Sequence, residues 1–300
     1  MPHRRIAVIG MGMMGGSIGL GVRRKKLPYH VIGIGRNPLK LRRAKNLHAC
    51  NEFTTSLEEG VRDADFIFIC TALSVILPTL EQIAPHLKPG AVVTDIGSVK
   101  SRIAEQGQAI MRRARSKAFF VPGHPLAGSE KTGVQSAVPE LYKNAAVVLT
   151  PLDNVPGPVN KIAAFWKSLG ARPLIMKPDV HDILVAQTSH LPHVLSGALS
   201  RMVGSLQKRD PNTKKLLAGS FKDMTRISDA DPAQWSEIST ENLKFLTGAV
   251  RSYRDILTQL LASLESGNAP QTEWQKYFSL AKESRAALLG PSQPARNKRD

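Results

Sequence analysis

Short apolar runs alternate with amphipathic stretches through the first half of the chain. The apolar runs occupy residues 6–9, 31–34, 66–70, 91–94, 119–121, 145–149 and 173–176. Runs of this length, separated by stretches with helical periodicity, are typical of buried strands joined by crossover helices. The pattern therefore predicts an α/β fold in which a doubly wound, mostly parallel sheet carries helices on both faces.

From about residue 178 the pattern becomes helical. Residues 179–206 carry apolar side chains at three- and four-residue spacing, which predicts one long helix. Asp231 followed by Pro232 predicts the start of a second helix of more than about thirty residues, and a shorter helix should end near Leu289. We therefore predict a first domain over residues 1–177, an all-α domain over residues 178–290 and a disordered tail over residues 291–300. A helix of that length is hard to cover within one subunit, so we expect a homodimer formed through the helical domain.

Composition narrows the classes of function. The chain has no run of the roughly 20 apolar residues that span a bilayer, and its N-terminus enters a strand pattern without a signal-peptide core, so we expect a cytoplasmic protein with no membrane partner. Its two cysteines argue against a disulfide framework. The formal net charge is +17, but the basic residues are scattered among helical apolar positions. This favours solvated faces and attraction of an anionic small molecule over a nucleic-acid partner.

A glycine-rich segment follows the first predicted strand directly. Gly10, Gly12 and Gly15 stand in the spacing of a dinucleotide-binding turn, where glycines allow a tight turn and close approach of a pyrophosphate to a helix N-terminus. This context predicts a Rossmann-type domain that binds NAD or NADP. The predicted cofactor residues are Gly10, Gly12, Met13, Met14, Gly15, Arg36, Asn37 and Thr71.

The end of the second predicted strand bears on the choice of cofactor. An acidic residue that binds the ribose of NAD would be expected there, but Arg36 occupies the position and Asn37 follows. Arg36 can bind a 2′-phosphate, which favours NADP, whereas an arginine stacked on adenine would be compatible with either cofactor. Asn37 can hydrogen-bond a ribose hydroxyl.

Three further segments place polar side chains where a cleft is expected. Ser98 and His124 each follow a predicted strand, and ligands bind at the carboxyl ends of strands in such sheets. His190 and His193 lie three residues apart on one helix face, and Pro192 between them should kink the helix. The histidine spacing permits a zinc site, but no third ligand stands nearby in the sequence, so we predict no metal.

These segments together resemble one enzyme family. The sequences GMGMMGGSIG, TDIGSVKS, PGHPLAGSEKTG, TSHLPH and GSFKDMTRIS occur in this order over most of the chain and are similar to those of prephenate dehydrogenases, a family that includes arogenate and cyclohexadienyl dehydrogenases. The resemblance implies that His124 is the general base and that Ser98 orients it. It also implies that Arg226 binds a substrate carboxylate, and that His190, His193 and Glu130 contribute to the substrate site.

The implied reaction is an oxidative decarboxylation in tyrosine biosynthesis. Prephenate, a dianion, or arogenate would lose a hydride to NAD(P) and a carboxylate as CO₂, giving 4-hydroxyphenylpyruvate or tyrosine. Two alternatives stay open at this point. One is another NAD(P)-dependent dehydrogenase of the β-hydroxyacid or imine-reductase type, and the other is a nucleotide-sensing or nucleic-acid-binding protein on the same fold.

Overall fold

A six-stranded parallel sheet forms the centre of the first half of the chain. The computed structural model describes residues 4–128, 131–153, 155–265 and 271–290. In the sheet the strands follow the order β3-β2-β1-β4-β5-β6. Their bounds are β1 Arg4–Ile9, β2 Tyr29–Ile34, β3 Glu52–Thr54, β4 Phe66–Ile69, β5 Val92–Asp95 and β6 Phe119–Phe120. This order reverses direction between β1 and β4, which is where ligands bind in doubly wound sheets.

Both faces of the sheet are buried, as the continuous apolar runs predict. In β1, Ile6 and Val8 point into one core while Ala7 and Ile9 point into the other. Burying a large aliphatic or aromatic side chain contributes about 1.5–3 kcal/mol, so two such cores hold the sheet firmly between its helices. The helices of this half are α1 Met13–Arg24, α2 Pro38–Asn46, α3 Leu57–Val61, α4 Leu73–Ile83, α5 Ser101–Arg113 and α6 Pro156–Ser168. The predicted Rossmann-type fold is confirmed.

A second, smaller sheet departs from the sequence prediction. The predicted strands near residues 145–149 and 173–176 do not join the main sheet but form β8 (Ala146–Leu149) and β9 (Arg172–Ile175), which are parallel to each other. β7 (Gly123–Pro125), which the sequence pattern did not predict, pairs antiparallel with β8 and places His124 opposite Val148. The strand that carries His124 is thus only three residues long and pairs with β8.

The first predicted long helix is interrupted. Helix α7 (Pro178–Val185) leads into a five-residue π-helical segment, Ala186–His190, and α8 (Leu191–Arg209) follows. Pro192 lies in the first turn of α8, where the missing N–H of a proline is tolerated. The irregularity predicted at Pro192 is therefore found in the π-helical segment just before it. The chain continues through α9 (Gly219–Thr225) to the next helix.

The second predicted long helix is also broken, at Asn242. Asp231 caps α10 (Pro232–Glu241) as predicted, since its carboxylate accepts the N–H groups of Ala233 and Gln234. Helix α11 (Leu243–Glu265) begins after Asn242, whose buried side chain bonds to neighbouring elements rather than facing solvent. The last helix is α12 (Gln271–Leu289), as predicted, and the tail predicted over residues 291–300 lies outside the described residues.

The chain divides into two compact units, residues 1–247 and residues 248–300. Helices α7 to α10 therefore share a compact unit with the sheets, and the domain boundary predicted at residue 177 stays a prediction. In the described ranges no helix is long and apolar enough to cross a membrane.

Candidate active site

The glycine turn after β1 has the shape that a dinucleotide requires. Gly10 has a φ of +97°, and a Cβ there would lie 2.3 Å from the carbonyl oxygen of Cys70. A Cβ on Gly15 would lie 2.2 Å from the carbonyl oxygen of Gly10, whereas one on Gly12 would meet no described atom within 4 Å. Gly12 begins α1 without a side-chain cap. The turn is thus tight at Gly10 and Gly15 and open at Gly12, where a pyrophosphate could approach the helix N-terminus.

Two hydrogen bonds hold the first turn of α1, one from within the helix and one from a later segment. The Ser17 hydroxyl donates to the carbonyl of Met13 at 2.7 Å, and the buried Tyr142 hydroxyl donates to the carbonyl of Met14 at 2.7 Å. A Cβ on Gly128 would lie 3.8 Å from the side chains of both methionines. The loop that follows His124 therefore runs beside the cofactor turn.

The other predicted cofactor residues stand at the same edge of the sheet. Arg36 is exposed just after β2. The side-chain oxygen of Asn37 caps α2 by accepting the N–H groups of Leu39 and Lys40, so any ribose contact would have to come from its amide nitrogen. Thr71 follows β4, and its methyl group would lie 3.5 Å from a Cβ on Gly10.

A buried ion pair connects the loop after β5 to the strand that carries His124. Asp95 and Lys100 are both fully buried and pair through the Asp95 Oδ2 and the Lys100 Nζ. The Asp95 carboxylate also accepts the N–H groups of Gly97 at 2.8 Å and Gly123 at 3.1 Å, and Lys100 Nζ donates to the Gly123 carbonyl at 2.9 Å. Burial lowers the pKa of Lys100, although Asp95 and Asp182 oppose this shift. The pair thus fixes the backbone immediately before His124.

His124 lies at the end of a chain of side-chain hydrogen bonds. Its Nδ1 is 2.8 Å from Nε2 of His181, and Nδ1 of His181 is 2.7 Å from Oδ1 of Asp182. The same carboxylate accepts the backbone N–H groups of Lys100 and Ser101, each at 2.7 Å. His181 and Asp182 are each 1% exposed, whereas His124 is only partly buried. Helix α7 therefore supports the ring of His124 from the protein interior.

The surroundings keep His124 neutral. Burial lowers its pKa well below the ordinary value, and the nearby Lys100 cation adds to this effect. Because a neutral imidazole carries a free lone pair, His124 is ready to accept a proton at neutral pH.

The two other predicted histidines lie close to Trp235 of α10. His193 stacks on the Trp235 ring at a centroid distance of 3.4 Å, and His190 meets the same ring edge-on at 5.9 Å. His190 is 1% exposed, and burial is the main cause that lowers its pKa to about 4. Its Nδ1 is 3.0 Å from the side-chain nitrogen of Asn242, so this ring is neutral and held in place. In the part of the chain that the structure describes, no three His, Cys, Asp or Glu side chains form a group that could hold a metal ion.

Arg226 lies in the short helical turn after α9 and is exposed. It is close enough to His193 to lower the pKa of that ring, although burial has the larger effect. Among the described residues no ion pair joins it to Asp223 or Asp229, the acidic residues nearest to it in the sequence. Arg226 is thus a cation available to an anion beside His193.

Two predicted residues are not tested by these contacts. No hydrogen bond joins Ser98 to His124 in the described ranges, and Nδ1 of His124 is bonded to His181. The orienting role of Ser98 stays a prediction, and it concerns the Nε2 side of the ring. Glu130 lies outside the described residues.

The structure also assembles residues that sequence reasoning missed. Trp235, which stacks on His193, also belongs to the site. The buried polar groups that fix the site are His181, Asp182, Asn242 and Tyr142. The sequence does carry a signal for His181 and Asp182, because both lie on the face of α7 that also buries Val185. Two polar residues at buried helical positions usually satisfy each other or a neighbouring site.

Comparison with known proteins gives two family matches. A family model described as the nucleotide-binding domain of prephenate dehydrogenase matches residues 18–175, and one described as the dimerization domain matches residues 177–279.

Individual proteins agree with these matches. The prephenate dehydrogenase of Lactococcus lactis is 30% identical over 95% of this chain and 77% of its own length. The crystal structure of Aquifex aeolicus prephenate dehydrogenase with hydroxyphenyl propionate and NAD+ has a TM-score of 0.87 at 28% identity, covering 96% of this chain and 99% of that one. The Synechocystis arogenate dehydrogenase structure has a TM-score of 0.81 at 30% identity, covering 95% and 100%.

Proposed function

Because the chain belongs to the prephenate dehydrogenase family, we propose that it catalyses the oxidative decarboxylation of prephenate or arogenate with hydride transfer to NAD(P). The product would be 4-hydroxyphenylpyruvate or tyrosine. The observation that carries the proposal is a neutral, partly buried His124 at the end of an interior hydrogen-bond chain, on a segment that runs beside the glycine turn. Membership of this family argues against the alternative of a β-hydroxyacid or imine-reductase type dehydrogenase.

In the proposed reaction, His124 removes the proton from the C4 hydroxyl of the substrate while the hydride departs from the same carbon. The nicotinamide, when bound, supplies the hydride acceptor. Loss of the ring carboxylate as CO₂ leaves its electron pair in the ring, which becomes aromatic, and His124 can return the proton to the phenolate oxygen. Aromatisation makes the sequence effectively irreversible, so the protein has mainly to position the substrate and supply one base.

The substrate carboxylates require cations, and Arg226 is placed to provide one. Its exposed guanidinium near His193 can bind a carboxylate through two parallel hydrogen bonds, which a lysine cannot do. His193 donates its Nδ1–H to the Ser189 carbonyl at 2.9 Å, which leaves Nε2 for the substrate. His190 and Glu130 remain proposed members of the substrate site.

For the cofactor, we favour NADP. Arg36 stands where an NAD-specific enzyme would carry an acidic ribose ligand, and its charge suits a 2′-phosphate. NAD would use the same turn but gain nothing from Arg36 beyond stacking.

The proposed working form is a homodimer. The chain carries a dimerization domain of its family. Within residues 248–300, α11 and α12 expose several large apolar side chains, namely Ile256, Leu257, Leu261, Leu264, Phe278, Leu280, Leu288 and Leu289. Exposed apolar surface of this kind is typical of a protein interface.

The first experiment is to follow nicotinamide reduction with prephenate and with arogenate, each tested with NADP and with NAD. We expect turnover in at least one pairing, and the pairings rank both substrate and cofactor. Absence of turnover in all four, with folded protein that binds cofactor, would overturn the proposal.

Two variants make the test specific to the site. His124→Asn should abolish turnover while cofactor affinity stays within about threefold of the original, because the asparagine cannot act as a base. His48→Asn is the matched control, since His48 is exposed and has a φ of 58°, which asparagine tolerates. Equal activity of the two variants would exclude His124 as the base.

A further inference from the structure

We propose that His181 and Asp182 are positioning residues that hold His124 in the tautomer with Nδ1 protonated, so that Nε2 is the atom that accepts the substrate proton. This inference rests on the proposed function of His124 as the base. It concerns two buried residues of α7, and it assigns the base to one nitrogen of the ring.

The first step is the state of Asp182. Its carboxylate accepts two backbone N–H groups at the start of α5, from Lys100 and Ser101, as well as the ring of His181. Burial raises the pKa of Asp182, but the hydrogen bonds from His181, Ser101 and Lys100 outweigh it and lower the pKa overall. Asp182 is therefore an anion, and an ionised carboxylate can only accept hydrogen bonds.

The second step follows the donor and acceptor roles from Asp182 through His181 to His124. Because Asp182 only accepts, Nδ1 of His181 must donate to it, and a neutral His181 then presents a lone pair at Nε2. The partner of that lone pair, at 2.8 Å, is Nδ1 of His124. Nδ1 of His124 must therefore be the donor, which leaves the lone pair of His124 on Nε2.

The third step concerns the charge that forms during the reaction. When His124 accepts a proton it becomes an imidazolium, whose Nδ1–H already faces His181. Lys100 disfavours that cation, and so would a protonated His190, while Asp182 lies one imidazole away and favours it. Asp182 is an anion connected to His124 through His181. Removal of its negative charge should therefore make protonation of His124 harder.

Asp182→Asn separates this role from a purely structural one. The asparagine keeps the shape but has one acceptor oxygen, so it can accept the N–H of Lys100 or of Ser101 and not both. With that oxygen toward Ser101, its amide donates to Nδ1 of His181 and reverses both tautomers. In serine proteases the equivalent substitution reverses one histidine and lowers kcat by about 10⁴. Here we expect kcat to fall by at least about 10²-fold, with the KM for substrate changed by less than about threefold. Asp179→Asn is the matched control, because Asp179 is exposed on the same helix and bonds only to the adjacent Val180 N–H in the described contacts.

The pH profile gives a readout that a structural role would not move. Activity needs neutral His124, so kcat/KM should fall as pH decreases through the pKa of His124, which burial holds below its ordinary value. Loss of the Asp182 charge makes protonation harder, so in Asp182→Asn this acidic limb should move to lower pH while the plateau falls. If the wild-type enzyme is active and Asp182→Asn has an equal kcat and an unchanged acidic limb, the inference is overturned. The proposed function would still stand.

A direct test reads the tautomers in the wild-type protein. Nitrogen-15 NMR of histidine-labelled wild-type protein near pH 7.5 distinguishes protonated from bare ring nitrogens, and His124→Asn and His181→Asn spectra assign the signals. We expect both rings to carry their proton on Nδ1. A His124 ring protonated on Nε2 alone would overturn the inference whatever the activity of the enzyme, and it decides the question if Asp182→Asn does not fold.

Discussion

The buried Lys100–Asp95 pair offers a prediction whose size follows from its surroundings. Lys100→Met keeps the length of the side chain but leaves the Asp95 carboxylate, which is fully buried, without its cation. Breaking a buried pair by removing one partner typically costs about 3–5 kcal/mol. Asp95 keeps the N–H groups of Gly97 and Gly123, so we expect the lower end, about 3 kcal/mol, or on the order of 10²-fold in the unfolding equilibrium.

The chain contains a matched control of the same chemistry. Lys88 pairs with Asp65 at 2.7 Å, but their side chains are 37% and 31% exposed. Solvent screens such a pair, so Lys88→Met should cost only about 0–1 kcal/mol.

Thermal and urea unfolding, followed by circular dichroism at one protein concentration, measure both variants. For a domain of this size each kcal/mol lowers Tm by about 2–4 °C, so Lys100→Met should lose about 6–12 °C and Lys88→Met at most about 4 °C. The double variant Asp95→Asn, Lys100→Met removes the uncompensated charge and should recover part of the loss. Equal destabilisation by the two lysine variants, or no recovery in the double variant, would refute the assignment of the cost to the buried charge.

Three further predictions concern the cofactor and substrate residues. Gly12→Ala should fold normally, because its Cβ would meet no described atom within 4 Å, but it should weaken cofactor binding about tenfold in fluorescence titration. In the control Gly19→Ala, the Cβ would lie 1.7 Å from the Ala49 carbonyl oxygen, so this variant should lower Tm instead. Arg226→Lys should raise the substrate KM about tenfold with kcat nearly unchanged, and an unchanged KM would remove Arg226 from the carboxylate role. Arg36→Ala should raise the Kd of NADP about tenfold and leave that of NAD unchanged, whereas an equal loss for both would indicate stacking on adenine.

The sequence by itself determined the parts of this protein that depend on local pattern. Apolar runs identify the core strands of the parallel sheet because a strand covered on both faces must be apolar along its length. The spacing of Gly10, Gly12 and Gly15 identifies the cofactor turn, because only glycine fits at Gly10 and Gly15, where a Cβ would strike the backbone, and Gly12 leaves the approach to the helix open. The motifs around His124 and Arg226 were specific enough to identify the family.

Only the tertiary structure decided which side chains hold His124. His181 and Asp182 are 57 and 58 residues from His124 in the sequence. His181 reaches His124, and Asp182 reaches His181, because Asp182 also binds the backbone at the start of α5. The break at Asn242 has the same origin: helical periodicity continues through the residue, but its side chain bonds to the Asp182 carbonyl and to His190. Hydrogen bonds between distant segments leave no periodic trace in a single sequence, because each partner is chosen by packing rather than by its neighbours along the chain.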